Sequence, residues 1–245
     1  MNIASEFNWV LAPLGALAFL ASGGLFLLSL VLTLSALMGR SFGFAALFAR
    51  ITFAIPAIYL AILAGVSATS HEKMLQPGGW KYFCEIDCHA AYTVAGAEVG
   101  KVPDGELDPE AKQGEAVIVR IKTWFDPQTI SPHRGNGALQ PNPRRILLID
   151  DARHVYLPET EWPARMPHPD MASTPFGEAL RPGESYATDF VFAVPRNEDH
   201  WRLLIADDAP ETHFLVGHEN SLFHKKIYFD VRLQKGLASR LKPGG

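Results

Sequence analysis

Two long apolar stretches open the chain and distinguish it from everything that follows. The first runs from Trp9 to Met38 without a charged side chain, and the second is "ITFAIPAIYLAILAGVSATS" at 51–70. A helix needs roughly 20 apolar residues to cross the hydrocarbon core of a bilayer. Pro56 marks an entry or a kink in the second stretch. The pattern predicts a transmembrane helical hairpin over residues 1–70, with helices at about 12–38 and 51–70.

The rest of the chain, residues 71–245, shows the two-residue alternation of β-strands and little helical periodicity. The predicted strands lie at 115–125, 145–157 (two strands around a turn), 185–194, 201–206 and 226–233. In the first of them, alternation places Val117, Val119 and Ile121 on one apolar face. Connections rich in Pro and Gly separate them, at 100–114, 126–144 and 158–184. Many short strands with such connections predict an antiparallel β-sandwich of immunoglobulin or cupredoxin type, following the helices as a second domain.

Both cysteines fall in "WKYFCEIDCHAAYTV", residues 80–94, which alternates almost completely and predicts one strand. The thiols of Cys84 and Cys88 then share the apolar face, and Lys81, Phe83 and His89 lie on the other, polar face. Residues i and i+4 of a straight strand are roughly 13 Å apart, whereas a disulfide needs Cα atoms within about 7 Å. Buried thiols are therefore the simplest interpretation. A disulfide or a shared metal ion requires a break in the strand, and both remain open.

The order of two transmembrane helices, an extracytoplasmic β-sandwich and Cys-x3-Cys resembles cytochrome c oxidase subunit II. That resemblance implies a dinuclear copper centre with the motif Cys-x-Glu-x-Cys, followed by His and Met at eight and eleven residues after the first Cys. Here Cys84 and Cys88 match, but the Glu comes one place early at Glu85. Tyr92 and Ala95 occupy the two later positions. The resemblance therefore covers the architecture and not the metal, and no cofactor is expected.

A second resemblance concerns the later half of the predicted sandwich. The stretches "LRPGESYATDFVFAVP" at 180–195 and "LVGHENSLFHKKIYF" at 215–229 are similar to bacterial extracytoplasmic immunoglobulin-like domains of unknown function. This similarity implies a sandwich fold and no particular activity.

Three histidines lie close together in "HFLVGHENSLFHKK", at His213, His218 and His224. Imidazole is a good ligand for zinc and copper, but the spacing is not the His-Glu-x-x-His of a helical zinc site. A polar loop before the last strand is the favoured interpretation. The alternative is a membrane-anchored copper-binding or electron-transfer protein, which would use Cys84, Cys88, His89, His218 and His224.

Charge and motifs narrow the function further. The formal net charge is −4 without a basic block, so nucleic acid is not an expected partner. The chain contains no Gly-x-Ser-x-Gly elbow, phosphate-binding loop, dinucleotide fingerprint or Cys-x-x-Cys-His haem motif. We therefore expect no enzymatic activity.

Charged residues are rare in residues 1–70, where Glu6, Arg40 and Arg50 are the complete set. No Lys or Arg precedes the first apolar run, which is also too long for the core of a cleavable signal peptide. The two arginines favour a cytoplasmic connection between the helices, with both ends outside. These observations predict a multi-pass protein of the inner membrane with its sandwich in the periplasm.

Small residues in the first helix suit close packing against another helix. They are Gly15, Ala18, Ser22 and Gly23. With the Pro-rich loops and the lack of a catalytic set, they indicate a structural or accessory subunit of a larger integral-membrane complex. A respiratory or photosynthetic complex is the class that analogy with oxidase subunit II suggests. A membrane-anchored binding module is a third possibility.

Overall fold

The computed structural model describes residues 3–5, 11–83, 90–100, 114–129, 133–160, 174–195 and 200–233. The helices in these ranges are α1 (Leu11–Met38), α2 (Phe42–Ala68) and a 3₁₀ turn (Pro210–Phe214). The strands are β1 (Ile3–Ser5), β2 (Lys73–Leu75), β3 (Trp80–Phe83), β4 (Ala90–Gly100), β5 (Gly114–Phe125), β6 (Arg144–Ile149), β7 (Val155–Tyr156), β8 (Ser185–Pro195), β9 (His200–Asp207) and β10 (Ile227–Arg232).

The chain forms two compact units, and neither is continuous in sequence. The sandwich unit contains Met1–Glu6, Lys73–Asp208 and Ile227–Gly245. The helical unit contains Phe7–Glu72 and Ala209–Lys226. The residues between β9 and β10 therefore belong with the helices, although the strands on either side of them belong to the sandwich.

In the helical unit, α1 and α2 pack together across a short turn. Arg40 adopts a positive φ of 53° in that turn, and the amide of Ser41 donates to the carbonyl of Ala36. Because residues 42–50 are rich in Ala, Leu and Phe, they continue as helix, and α2 begins nine residues before the predicted start at 51. Pro56 lies inside α2 and does not mark its entry.

In the sandwich unit, two five-stranded sheets enclose one apolar core. Their strand orders are β1-β3-β4-β5-β8 and β2-β10-β9-β6-β7. The alternation in β5 predicts the buried face correctly, since Val117, Val119 and Ile121 are fully buried in the core. Facing residues from the other sheet complete it, including Trp201 and Phe229. The predicted β-sandwich is confirmed at this level.

The prediction of purely antiparallel sheets is wrong, because both sheets are mixed. Strand β1 pairs in parallel with β3, and β2 pairs in parallel with β10. Antiparallel neighbours are often joined by a short turn, whereas parallel neighbours need a longer crossover. The chain between β1 and β3 contains both helices, and the chain between β2 and β10 contains most of the sandwich. No short turn therefore imposes an antiparallel pairing on either strand.

The prediction of one strand over 80–94 is also wrong. Strands β3 and β4 pair antiparallel, with Phe83 opposite Ala90 and Lys81 opposite Tyr92. The chain reverses its direction between Phe83 and Ala90. Alternation continues on both sides of this reversal because each strand has its own apolar face, and hydrophobic period alone does not reveal a turn. In β3 the buried face is also the opposite of the predicted one, because Phe83 packs in the core.

Candidate functional site

The contact between α1 and α2 follows a heptad pattern. Buried and half-buried residues of α1 recur at spacings of four and three, at Gly15, Phe19, Ser22, Phe26, Ser29, Thr33 and Ala36. A matching series on α2 contains Ala45, Phe48, Thr52, Pro56, Tyr59, Leu63 and Val66. Such spacing is typical of helices that cross at a shallow angle with interlocking side chains. One face of each helix is therefore used within the hairpin.

Three hydroxyl groups meet in this contact. The Oγ1 atom of Thr52 lies 3.0 Å from the Oγ of Ser29 and 3.5 Å from the Oγ1 of Thr33. Each hydroxyl also lies within hydrogen-bonding distance of a backbone carbonyl one turn earlier in its own helix, at 2.9 Å for Ser29, 2.8 Å for Thr33 and 2.8 Å for Thr52, whose carbonyl partner is that of Phe48. Hydroxyl pairs of this kind hold helices together where the surroundings are apolar.

The outward faces of both helices are apolar and uncovered within the structure. Both helices are long and apolar enough to cross a membrane. Their exposed large side chains include Leu17, Leu20, Leu27, Val31, Phe44, Phe53, Ile58 and Ile62. A core helix of a soluble protein would bury such residues, whereas these stand in a continuous exposed surface.

An apolar groove of about 250 Å³ lies in the helical unit. Its lining consists of Phe19, Ser22, Gly23, Phe26, Ile55, Pro56, Tyr59, Leu60 and Phe214. A Cβ atom added at Gly23 would meet no other atom within 4 Å, so this glycine borders open space.

The four small residues predicted as a packing face fall in different places. Gly15 is buried and Ser22 is half-buried in the heptad contact, while Ala18 is exposed. The structure brings Ser22 and Gly23 together at the groove. Ser22 and Gly23 are therefore the two residues of the predicted packing face that line the groove.

The segment between β9 and β10, residues 209–226, is hydrogen-bonded to α2 and to the residues just after it. The Tyr59 hydroxyl donates to the carbonyl oxygen of Phe214 at 2.6 Å. The backbone amide of Lys225 donates to the Oγ of Ser70 at 2.8 Å. We call residues 209–226 the docked segment. Its attachment to the helices has no signal in the sequence, where it reads as a polar loop.

The docked segment contains the three clustered histidines, and each uses its Nδ1 locally. In His218, which is buried, Nδ1 accepts from the amide of Asn220 at 2.9 Å. His213 and His224 place Nδ1 at 2.9 and 2.7 Å from the backbone carbonyls of Pro210 and Lys225. Across the described ranges, no group of three or more His, Cys, Asp or Glu residues is arranged to hold a metal ion.

The remaining predicted ligands, Cys84, Cys88 and His89, lie outside the described residues. The distance argument against a bridge between the thiols assumed an unbroken strand from 80 to 94. Since the chain reverses between Phe83 and Ala90, that argument no longer holds. A bond or a shared metal ion at these cysteines stays a prediction.

The sequence analysis missed a polar cluster at one end of the sandwich unit. The ring of His200 lies between two carboxylates, with Nδ1 at 3.1 Å from Asp151 and Nε2 at 3.1 Å from Asp230. A protonated imidazole donates at both nitrogens, but a neutral one donates at only one. The ring of His200 thus links the β6–β7 turn to β10.

Beside it, Asp150 is buried and organises the β6–β7 turn. Its carboxylate accepts from the amide of His154 at 2.7 Å and from the hydroxyl of Tyr156 at 3.1 Å. Burial acts to raise the pKa of Asp150, but these bonds and the His154 ring outweigh it, so its pKa is lowered. The spacing of Asp150 and His154 within one turn was the available sequence signal.

Comparisons with known proteins give structural likeness alone. No protein-family model matches the chain, and no curated protein matches it. The secreted protein MPT63 of Mycobacterium tuberculosis is similar over 67% of this chain and 99% of its own, with 9% identity and a TM-score of 0.40. An uncharacterized β-sandwich protein of Clostridium difficile 630 is similar over 66% and 96%, with 10% identity and a TM-score of 0.37. Neither likeness bears on activity or partners.

Proposed function

We propose that this protein is a non-catalytic accessory subunit of a larger integral-membrane complex. In this proposal α1 and α2 cross the membrane and the β-sandwich lies on the periplasmic side. The observation that carries it is the apolar outer surface of the hairpin, which the described residues of this chain leave uncovered. Water disfavours a continuous apolar surface of this kind, whereas lipid tails and apolar partner helices accept it.

The helix lengths support the spanning assignment. Helices of 28 and 27 residues are about 42 and 40 Å long at 1.5 Å per residue. The hydrocarbon core of a bilayer is about 30 Å thick. Each helix is therefore long enough to cross, with roughly two turns left for the interfacial region.

Strand pairing supports an even number of crossings. The residues before α1 form β1, which pairs with β3 in the sandwich unit, and β2 follows α2 into the same unit. A chain that crosses twice brings both of these strands to one side of the membrane. Arg40 in the turn and Arg50 in α2 favour the cytoplasm for the opposite end of the hairpin.

The groove is the surface that we assign to the partner. Helix association in lipid depends on close packing, and small residues permit it. Gly23 borders the open space of the groove, and Ser22 lies beside it. A transmembrane helix of a neighbouring subunit would pack there and cover apolar side chains such as Phe26 and Leu60.

Native isolation tests this proposal. Source membranes are solubilised in mild detergent, complexes are separated by size, and the proteins that co-migrate with this chain are identified by mass spectrometry. We expect stoichiometric co-migration with a membrane complex, and complexes that carry haem or pigment are the first class to examine. Migration of the wild-type chain by itself would refute the proposal.

Two matched variants test the groove as the point of contact. Gly23→Leu fills the groove, whereas Gly24→Leu changes a neighbouring residue that is not part of the lining. An added Cβ meets nothing within 4 Å at either site, and both changes favour helix formation equally. We expect Gly23→Leu to release the partner and Gly24→Leu to retain it. Equal retention by both variants would place the contact elsewhere.

The second candidate is the copper-binding or electron-transfer protein. The reversal between β3 and β4 favours it, since both cysteines fall in the connection between Phe83 and Ala90. Copper analysis of the purified chain tests it. We expect stoichiometric copper if this candidate is correct, and its loss in Cys84→Ser.

A further inference from the structure

The docked segment has the inverse of the polarity that water favours. Its buried polar side chains are Thr212, His218, Glu219, Asn220 and Ser221. Its exposed large side chains include Phe214, Leu222 and Phe223, which are 45%, 39% and 80% accessible. In a loop surrounded by water the polar residues would be outside and the phenylalanines inside.

The side chains of Thr212, His218, Asn220 and Ser221 find hydrogen-bond partners within the segment itself. The Asn220 side chain donates to the hydroxyl of Thr212 at 3.2 Å, and the Ser221 hydroxyl donates to the carbonyl of Leu215. The ammonium group of Lys226 donates to the carbonyl of Glu219 at 2.8 Å. Internal satisfaction of this kind is what an apolar surrounding requires, since no water is available there.

The backbone holds Phe223 outward at an energetic cost. This residue has a φ of 65°, in the left-handed region that is unfavourable for residues other than glycine. The strained conformation places a large aromatic side chain in the most exposed position of the segment. In water neither the strain nor the exposure is compensated.

The attachment points give the segment a level along α2. It bonds to Tyr59 through Phe214 and to Ser70 through Lys225. The two anchoring residues, Tyr59 and Ser70, are eleven positions apart in the sequence. The part of α2 from Tyr59 to the end of the helix at Ala68 is about 14 Å long. The segment therefore lies along the last part of the helix, where α2 leaves the hydrocarbon core.

We propose that the docked segment lies in the membrane interface, with Leu222 and Phe223 inserted among lipid acyl chains. This inference rests on the proposed membrane crossing of α1 and α2, and it extends the same lipid-facing surface. The exposed polar residues of the segment, Glu211, His213 and Lys225, then lie at headgroup level. A Phe and Leu pair beside a lysine is typical of interfacial segments, since the apolar side chains insert among the acyl chains and the ammonium group reaches the lipid phosphates.

Site-specific photo-crosslinking of the full-length protein tests the proposal. The photoreactive residue p-benzoylphenylalanine replaces Phe223, and the protein is reconstituted in vesicles of phosphatidylethanolamine and phosphatidylglycerol. Two reference positions have similar exposure. Phe53 in α2 is 77% accessible and reports on the membrane crossing, whereas Leu157 after β7 is 67% accessible and belongs to the sandwich unit.

We expect lipid adducts at positions 223 and 53 and none at position 157. Adducts at 53 without adducts at 223 would overturn this inference and leave the membrane crossing intact. An absence of adducts at both 53 and 223 would overturn the crossing, and this inference with it. Adducts at 223 to a second copy of the chain in place of lipid, or equal labelling at 157, would also refute insertion.

Discussion

Replacement of Thr52 by valine tests whether the hydroxyl cluster stabilises the hairpin. Valine keeps the shape and the β-branch of threonine, so packing and helix propensity change little. The substitution removes the hydroxyl that lies 3.0 Å from Ser29 and 3.5 Å from Thr33, on the other helix. It leaves the hydroxyls of both neighbours bonded to carbonyls of α1.

The size of the expected destabilisation follows from the close interhelical contact between Thr52 and Ser29. Interhelical hydrogen bonds in a membrane contribute about 0.6 kcal/mol on average, with an upper value near 1.7 kcal/mol. The contact at 3.0 Å is well within hydrogen-bonding range, and the one at 3.5 Å adds little. The single proton of the Thr52 hydroxyl is also within 2.8 Å of the carbonyl oxygen of Phe48 in its own helix. We therefore expect Thr52→Val to lower the free energy of unfolding of the hairpin by about 0.6 kcal/mol, the average value.

A double-mutant cycle isolates this contribution. Thr52→Val and Ser29→Ala are made singly and together, and the free energy of unfolding is measured in lipid bicelles by reversible denaturant titration. We expect a coupling energy between roughly 0.5 and 1.5 kcal/mol. Ser22→Ala is the matched control, since the hydroxyl of Ser22 bonds to the carbonyl of Phe19 in its own helix. Additive effects of Thr52→Val and Ser29→Ala would refute the interhelical bond.

Three further substitutions test the sandwich unit. Burial, with the adjacent Asp126 carboxylate, raises the pKa of Tyr82, so stability should fall above about pH 10, and Tyr82→Phe should reduce that fall in an alkaline titration. The same variant should lose about 1.5–3 kcal/mol at neutral pH, since it removes the bond to Asp126. Asp150 has a lowered pKa and therefore stabilises the fold at neutral pH but not below its folded pKa; Asp150→Asn should flatten the acid limb of a pH–stability curve. Copper analysis should find no stoichiometric copper in either the wild type or Cys84→Ser; stoichiometric copper in the wild type that is lost in Cys84→Ser would support the electron-transfer candidate.

The regular parts of both units were predictable because hydrophobic period reports burial directly. The face of β5 that contains Val117, Val119 and Ile121 was identified from alternation, and the structure buries all three. The uncharged run of α1 likewise indicated a long helix. In β5 each of these residues meets the environment that its own side chain favours, so local and global preferences agree.

The direction of the Lys81 side chain in β3 was not predictable in this way. Lys81 was assigned to the polar outer face, but it is fully buried, and its ammonium group lies 2.5 Å from the carbonyl oxygen of Ile205 in the opposite sheet. A buried ammonium group is tolerated when carbonyl oxygens accept hydrogen bonds from it. Since those acceptors come from distant strands, nothing near Lys81 in the sequence announces its direction.

The docked segment shows a second limit, which concerns polarity. "HENSLFHKK" reads as a solvated loop because its letters are mostly polar. The structure turns His218, Asn220 and Ser221 inward and leaves Phe223 outside. Composition cannot reveal which side chains point inward in an irregular segment, because that depends on hydrogen bonds between residues several positions apart. The histidines of this segment were therefore proposed as metal ligands, whereas their side chains form hydrogen bonds that fold the segment.

The chain path shows why the helices are not a removable anchor. The sandwich unit takes β1 from before the helices and all its other strands from after them, while the helical unit takes residues 209–226 from between β9 and β10. A fragment beginning at residue 71 would lack β1 and leave the edge of β3 open to pairing with other chains. It would also retain Leu222 and Phe223 without the helices to which their segment bonds. In mild detergent, such a fragment should aggregate where the full chain does not, because the sandwich unit takes β1 from before the helices and the helical unit takes residues 209–226 from between two sandwich strands. Size-exclusion chromatography of both proteins in the same detergent measures the difference.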